Sequence, residues 1–141
     1  MQKIISTNPR DTIKFGKELV SRISAAGSVI ALSGEMGAGK TVLTKGVAAA
    51  LGVTDEVTSP TFALVKSYIG LNTVLHHFDA YRLSGAEEAE DSGLCDLIGV
   101  PDSICVIEWP ERIRELLPQT TVWVEMNRID EMRREIIIRN C

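Results

Sequence analysis

Two short apolar runs stand out along the chain, Val29-Ile30-Ala31-Leu32-Ser33 and Ser103-Ile104-Cys105-Val106-Ile107. Neither alternates with polar residues, which is the pattern of strands buried on both faces. Elsewhere the period changes. Lys3 to Ser6 reads as a short edge strand, and Thr7-Asn8-Pro9-Arg10-Asp11 as a helix start. Asn8 serves as cap, Pro9 suits the first helical position, and Asp11 follows Asn8 like the acidic member of a capping box. That helix is expected to reach about Ala26, to bury Ile13, Leu19, Val20 and Ile23, and to stop at Gly27. Thr41 to Leu51 reads as a second helix, with Leu43, Val47, Ala50 and Leu51 on one stripe and Gly52 as its C-terminal cap.

The second half is richer in hairpin signals. Val53 to Phe62 is polar, hydroxyl-rich and interrupted by Pro60, hence a loop. Ala63 to Tyr68 and Val74 to Phe78 flank a turn containing Gly70 and Asn72, the pattern of two paired strands. Glu87 to Gly93 is an acidic helical stretch with a glycine stop, its charges those of a solvated face. Pro110 opens a short helix over Glu111 to Leu117, and Pro118 closes it. Val122 to Met126 and Glu135 to Arg139 form a closing hairpin. Together these elements predict an α/β fold whose mixed sheet carries helices on both faces.

Composition narrows the setting. At 141 residues and 45% hydrophobic content, the chain is expected to make one domain over residues 1–141. No window has the roughly 18 uninterrupted apolar residues of a membrane helix. Met1 to Ser6 is too short and polar for a signal peptide. The three cysteines, Cys95, Cys105 and Cys141, have no disulfide or metal spacing, so reduced thiols in a cytoplasm are expected. A net charge of −4 argues against autonomous nucleic-acid binding; any RNA involved is expected to be held by a partner.

The chemistry begins where the first apolar run ends. Gly34-Glu35-Met36-Gly37-Ala38-Gly39-Lys40-Thr41 has the form G-x-x-x-x-G-K-T, a Walker A loop set between strand and helix as that motif requires. Gly34, Gly37 and Gly39 allow the backbone to wind closely around a polyphosphate. The amides of Ala38 to Thr41 and the helix N-terminus favour the anion. Lys40 is placed for the β- and γ-phosphates, and the Thr41 hydroxyl for Mg²⁺. The expected ligand is a nucleoside triphosphate, bound by Met36, Gly37, Ala38, Gly39, Lys40 and Thr41.

Binding alone is not catalysis, which also needs an acid near the metal and a device that orients the attacking group. Asp79 and Glu108 both end apolar strands. Glu108 follows the cleaner buried run and ranks first as the Walker B-type acid; Asp79 assists the metal or polarises water. Each residue type also suits a helix cap or an ion pair with Arg. Thr58-Ser59-Pro60-Thr61 follows the loop helix, where switch-type NTPases carry a segment ordered by γ-phosphate and Mg²⁺, and Thr61 is the candidate contact. A plain proline turn explains these residues equally well. The start of the first helix, Asn8 to Thr12, is placed near a bound base by position alone, and a plain cap is the simpler reading.

Two tempting constellations carry less. His76 and His77 are adjacent on a strand, so they face opposite sides and cannot chelate one metal together. Asn127-Arg128-Ile129-Asp130 has the N-x-x-D form of a guanine-specificity motif, but it lies between two strand patterns and reads as a turn, so ATP is expected over GTP.

With these motifs assembled, the chain resembles the TsaE (formerly YjeE) family, small bacterial P-loop ATPases of tRNA threonylcarbamoyladenosine biosynthesis. The resemblance rests on the Walker loop, then Ser59-Pro60-Thr61-Phe62 with Leu64, Val65 and Tyr68, then His77-Phe78-Asp79-Ala80-Tyr81-Arg82-Leu83, then Ile107-Glu108-Trp109-Pro110. These elements span about Thr12 to Pro110, in the family's order and spacing. The resemblance implies a P-loop NTPase-like three-layer sandwich with a mixed, mostly parallel central sheet and a C-terminal hairpin. It implies ATP and Mg²⁺ as ligands, with Met36 to Thr41 on the phosphates, Thr41 and Glu108 on the metal, Asp79 near the γ-phosphate, and Ser59 to Phe62 as a switch loop. It also implies a weak ATPase that works with TsaB and TsaD. Those proteins attach the threonylcarbamoyl group to an adenosine of tRNAs reading codons that begin with adenine, and the ATP cycle supports their turnover.

Two rival functions fit part of the same residues. A small-molecule kinase would use Asp79 as base and Arg82 as clamp, but so short a chain offers no lid or acceptor segment. A nucleotide-gated interaction module, in which hydrolysis only resets binding, overlaps the family's biology. Arg82 is also the nearest candidate for a built-in arginine finger.

Overall fold

The structure, a computed structural model, describes residues 1–23, 28–60 and 64–139. Its frame is a seven-stranded sheet in the order β1-β7-β6-β2-β5-β4-β3. The strands are β1 (Gln2–Ser6), β2 (Ser28–Ser33), β3 (Val65–Ile69), β4 (Val74–Asp79), β5 (Ser103–Glu108), β6 (Val122–Arg128) and β7 (Arg134–Arg139). The four central strands β6, β2, β5 and β4 run parallel. The margins are antiparallel: β3 pairs with β4, β7 with β6, and β1 with β7. The mixed sheet and the C-terminal hairpin are thus as expected, with the parallel pairings confined to the centre.

Every residue of β5 is buried, which is why its sequence shows no alternation. Its side chains still alternate between two cores. Ile104 and Val106 join Ile30 and Leu32 of β2 beneath helices α1 (Pro9–Arg22) and α2 (Lys40–Ala50). Cys105 and Ile107 join Val29 and Phe78 beneath α3 (Ala86–Asp91) and two 3₁₀ segments, Leu94–Asp96 and Pro110–Leu116. Helical segments on both faces complete three layers. Each large aliphatic side chain buried here contributes about 1.5–3 kcal/mol.

The first helix starts as its sequence predicts. Asn8 Oδ1 accepts the Asp11 N–H at 3.0 Å, with Pro9 inside the first turn. Asp11 reaches one residue further back than a capping box requires, accepting the Thr7 N–H at 3.0 Å and its hydroxyl. The far end differs from expectation. The helix stops at Arg22, with Ile23 extended, rather than near Ala26; the Gly27 stop lies outside the described residues.

The buried stripe also differs. It is Thr12, Phe15, Gly16 and Leu19, whereas Ile13, Val20 and Ile23 are only half-buried. The reason is a close crossing with α2. A Cβ on Gly16 would lie 3.1 Å from the Gly46 Cα and 2.3 Å from the Leu43 carbonyl oxygen; one on Gly46 would lie 2.1 Å from the Ile13 oxygen. Two glycines therefore let the backbones touch and turn Thr12, Phe15 and Leu19 inward. On α2 the packing face is Leu43, Gly46 and Val47, and Ala50 is exposed rather than part of the stripe. Gly52, at φ +80°, follows the helix as its left-handed cap.

Residues 53–60 have no regular secondary structure, as predicted for the loop; Thr61, Phe62 and Ala63 lie outside the described residues. The segment after β5 is 3₁₀ rather than α-helical, kinked at Ile113 (φ −132°, ψ 29°). The predicted acidic helix is present over Ala86–Asp91, with Ser92 as its cap and Gly93, φ +84°, in the turn that follows. Among the described residues no helix is long and apolar enough to cross a membrane.

Candidate functional site

The C-terminal ends of the parallel strands β2, β4 and β5 open on one side of the sheet, and the predicted residues gather there. The Walker loop leaves β2 at Ser33 and enters α2 at Lys40. It bends through Gly34, Gly37 and Gly39, at φ +150°, +83° and +97°. A Cβ at Gly34 would press to 2.5 Å from the Met126 carbonyl oxygen, and one at Gly37 would meet nothing within 4 Å. One wall of the loop is thus tight against β6 and the other is open, as a phosphate cradle requires. Not all its amides point into the cradle: the Ala38 N–H closes a turn onto the Glu35 carbonyl at 3.1 Å. Met36, at the loop's crest, is exposed.

Lys40 is buried, only 7% exposed. Its ammonium donates to the Gly34 carbonyl at 2.7 Å, lies 3.6 Å from Glu108 Oε1, and sits 4.6 Å above the centre of the Trp109 ring. A desolvated cation beside an open glycine loop is an anion-binding arrangement. Thr41, the next residue of α2, is half-buried at the loop's mouth.

Both strand-end acids belong to this cluster. Asp79 and Glu108 are register partners at the ends of β4 and β5, and each is 5% exposed. Strand alternation puts both on the α2 side of the sheet. Asp79 Oδ1 accepts the Tyr81 N–H at 2.9 Å, which shapes the turn leaving β4. Glu108 instead faces side chains of other elements: the Lys40 ammonium, 3.6 Å from Oε1, and His77 Nε2, 2.6 Å from Oε2.

His77 is the site residue that residue-by-residue reasoning set aside. The two histidines do face opposite ways. His76 meets the Ser67 hydroxyl at 2.7 Å across the β3–β4 pair, and burial pushes its imidazole below the ordinary value. His77 is fully buried against Glu108. Its available signal was pairing: His77 stands two residues before Asp79, as Val106 stands two before Glu108, and these strands are in register. Among the described residues no group of three or more His, Cys, Asp or Glu side chains could hold a metal. The available donors are hard oxygens from Glu108, Asp79 and Thr41, which suits Mg²⁺, an ion that keeps several waters and relies on one or two carboxylates plus phosphate oxygens.

Sequence reasoning also missed Arg134. It comes from the hairpin between β6 and β7, where its Nη1 donates to the carbonyls of Asp130 at 2.7 Å and Arg133 at 3.0 Å. Its Nε lies 3.7 Å from where a Cβ on Gly39 would sit. A small cleft beside the loop is lined by Pro9, Thr12, Gly39, Val42, Met132 and Arg134. The start of α1 and the closing hairpin therefore meet next to the Walker loop. Asp130 builds the hairpin turn, accepting the N–H groups of Met132 at 3.0 Å and Arg133 at 2.8 Å; Asn127 lies within β6 and donates to Glu125 and Glu135.

The remaining candidates stand at the rim. Trp109 holds a left-handed backbone, φ 57°, rare for a bulky side chain, and its ring contacts Tyr81 with centroids 5.0 Å apart. Arg112 lies over the Tyr81 ring, and Arg82 is exposed at the same rim. Thr61 lies outside the described residues.

Comparison with known proteins assigns this architecture. The family model for the threonylcarbamoyl adenosine biosynthesis protein TsaE matches residues 6–136. The chain belongs to the TsaE family. The match extends on both sides of the Thr12 to Pro110 motif span and takes in β6 and the first residues of β7. The tRNA threonylcarbamoyladenosine biosynthesis protein TsaE of Treponema pallidum is 39% identical over 136 residues, covering 96% of this chain and 98% of that protein. The Bacillus subtilis protein of the same description is 38% identical over 131 residues, covering 93% of this chain and 80% of that one. The crystal structure of Bacillus subtilis YdiB superposes with a TM-score of 0.76 at 33% identity, covering 96% of this chain and 82% of that one. The TsaE family's role is tRNA threonylcarbamoyladenosine biosynthesis.

Proposed function

We propose that this chain is a magnesium-dependent cytoplasmic ATPase, a single P-loop domain that binds a TsaB–TsaD complex and hydrolyses ATP for its turnover in tRNA threonylcarbamoyladenosine formation. The observation that carries the reading is the buried Lys40 at an open glycine loop, its ammonium within reach of Glu108 at 3.6 Å.

In this reading Lys40 exchanges the Gly34 carbonyl for β- and γ-phosphate oxygens, and Met36 to Thr41 line the phosphates. Thr41 and Glu108 hold Mg²⁺, which when bound neutralises charge between those phosphates. Asp79, beside Glu108 and outside the Lys40 contact, orients the attacking water. Thr61, assigned on the family resemblance alone, completes the γ-phosphate side as part of the switch segment. The start of α1 and the closing hairpin, at Thr12 and Arg134, flank the side of the loop on which the adenosine would lie. The acidic surface leaves tRNA to the partner proteins.

Slow hydrolysis by the isolated chain and stimulation by partners are expected of a site whose γ-phosphate side a partner completes. A mixing assay tests this: ATP hydrolysis is measured with purified TsaB and TsaD from the same source, with and without tRNA. Nucleotide-dependent association with a rise in hydrolysis is expected. No association in any nucleotide state, together with ATP-dependent phosphorylation of a small metabolite, would replace this reading with the kinase one.

A further inference from the structure

His77 is a buried polar group that the proposed reaction leaves unused. It lies in a central parallel strand at 0% exposure, where apolar side chains are the rule. An imidazole there is costly unless its nitrogens are bonded, and only one is: among the described residues Nδ1 is buried with no partner, while Nε2 lies 2.6 Å from Glu108 Oε2. Phenylalanine would fill a similar volume without leaving a nitrogen unpaired. The ring's polarity is therefore directed at one atom, Glu108 Oε2.

We infer that His77 is a positioning residue that holds Glu108 by Oε2, so that Oε1 faces the phosphate loop; this rests on the magnesium-nucleotide reading above. The distances divide the carboxylate's two oxygens. Oε2 is within hydrogen-bond range of His77, whereas Oε1 and the Lys40 ammonium are 3.6 Å apart, beyond a good hydrogen bond. Without the imidazole, nothing among the described contacts keeps Glu108 from swinging both oxygens onto Lys40. That collapse would occupy the metal-facing oxygen and neutralise the cation meant for phosphate. His77 thus keeps two opposite charges close but incompletely paired. Groups that orient a metal-binding carboxylate commonly influence metal affinity about 10- to 100-fold.

The test uses the whole chain and calorimetric titration of ATP with and without Mg²⁺. His77→Gln places an amide donor near the Nε2 position; His77→Asn places it near Nδ1; His77→Phe removes it. H77Q is expected to retain most of the affinity gained on adding Mg²⁺, and H77N and H77F to lose about tenfold of it. Metal-free affinity should change less. In an E108Q background, H77F should cost nothing further in the magnesium-dependent gain. Nitrogen NMR of the His77 ring adds a readout independent of nucleotide: the Nε2 signal should shift in E108Q. A full magnesium gain in both H77N and H77F would overturn the positioning role, as would an equal loss with and without Glu108. Should H77F not fold, by circular dichroism, the contrast of H77Q with H77N decides. A failure of the unsubstituted chain to bind ATP, with the NMR shift present, would overturn the nucleotide reading and leave the His77–Glu108 contact standing.

Discussion

Asp79 and Glu108 end neighbouring parallel strands in register, point into the same layer and are equally buried, yet their partners differ in kind. Asp79 is bonded to a backbone N–H two residues on, so it shapes its own turn. Glu108 meets side chains from other elements: it is hydrogen-bonded to His77 of β4 and lies 3.6 Å from the Lys40 ammonium of α2. Position on the sheet therefore does not separate a carboxylate that shapes its own turn from one that faces an ammonium; the nature of the partner does. A backbone amide is a fixed neutral dipole, whereas an ammonium can be drawn away by phosphate, freeing a carboxylate oxygen as it leaves.

The sharpest way to break this comparison is to remove the ammonium that Glu108 meets and Asp79 does not. Lys40→Ala should lower ATP affinity about 10- to 100-fold, the range for lost hydrogen bonds to charged groups. Calorimetry with Mg²⁺ measures the loss, and thermal unfolding shows what Glu108 costs when left with His77 alone. Unchanged affinity and hydrolysis would remove the phosphate role of the loop.

Next comes Glu108→Gln, expected to cut the magnesium-dependent gain in ATP affinity about tenfold while changing metal-free binding far less. The contrasting variant is Asp79→Ala. It should impair hydrolysis more than ATP binding and cost about 1 kcal/mol of stability, through the lost bond to the Tyr81 N–H; Asp79→Asn, which keeps an acceptor, should restore that stability but not the hydrolysis. Were D79N to abolish the magnesium effect and E108Q to spare it, the two acids would exchange roles.

A third carboxylate gives the smallest effect. Asp130, on the exposed hairpin turn, is pulled from 3.8 to about 2 by the Arg133 N–H and then by its guanidinium. The folded value lies below the unfolded one, so its contribution is present above pH 3.8 and fades as pH falls towards 2. A carboxylate titration by NMR should show a midpoint near 2, and Asp130→Asn should flatten the acid limb of stability slightly without altering Mg²⁺ dependence. A midpoint at the ordinary value would mean that the turn is not held by this residue.

Much of the site was legible because its signals are local. The glycine spacing, the strand before it and the helix after it lie within a single stretch, so the Walker loop and Lys40 could be read directly. Asn8 and Pro9 encode their helix start through one turn of backbone. Glu108 and Asp79 were visible as acids ending apolar runs. The misplaced features are those set by distant residues. Ile13, Val20 and Ile23 fit a helical stripe as well as Phe15 and Leu19 do, and only the glycine crossing with α2 selects the face.

The sequence alone thus determined where most strands and helices lie, where the glycine loop falls between them, and that two acids stand at strand ends. It did so because backbone conformation, caps and burial periodicity depend on neighbours a few residues apart. Tertiary structure alone decided which acid meets a cation, that His77 faces Glu108 across 31 residues of chain, and that Arg134 comes to rest beside Gly39. Those outcomes depend on strand register and helix approach, quantities that no single stretch of sequence contains.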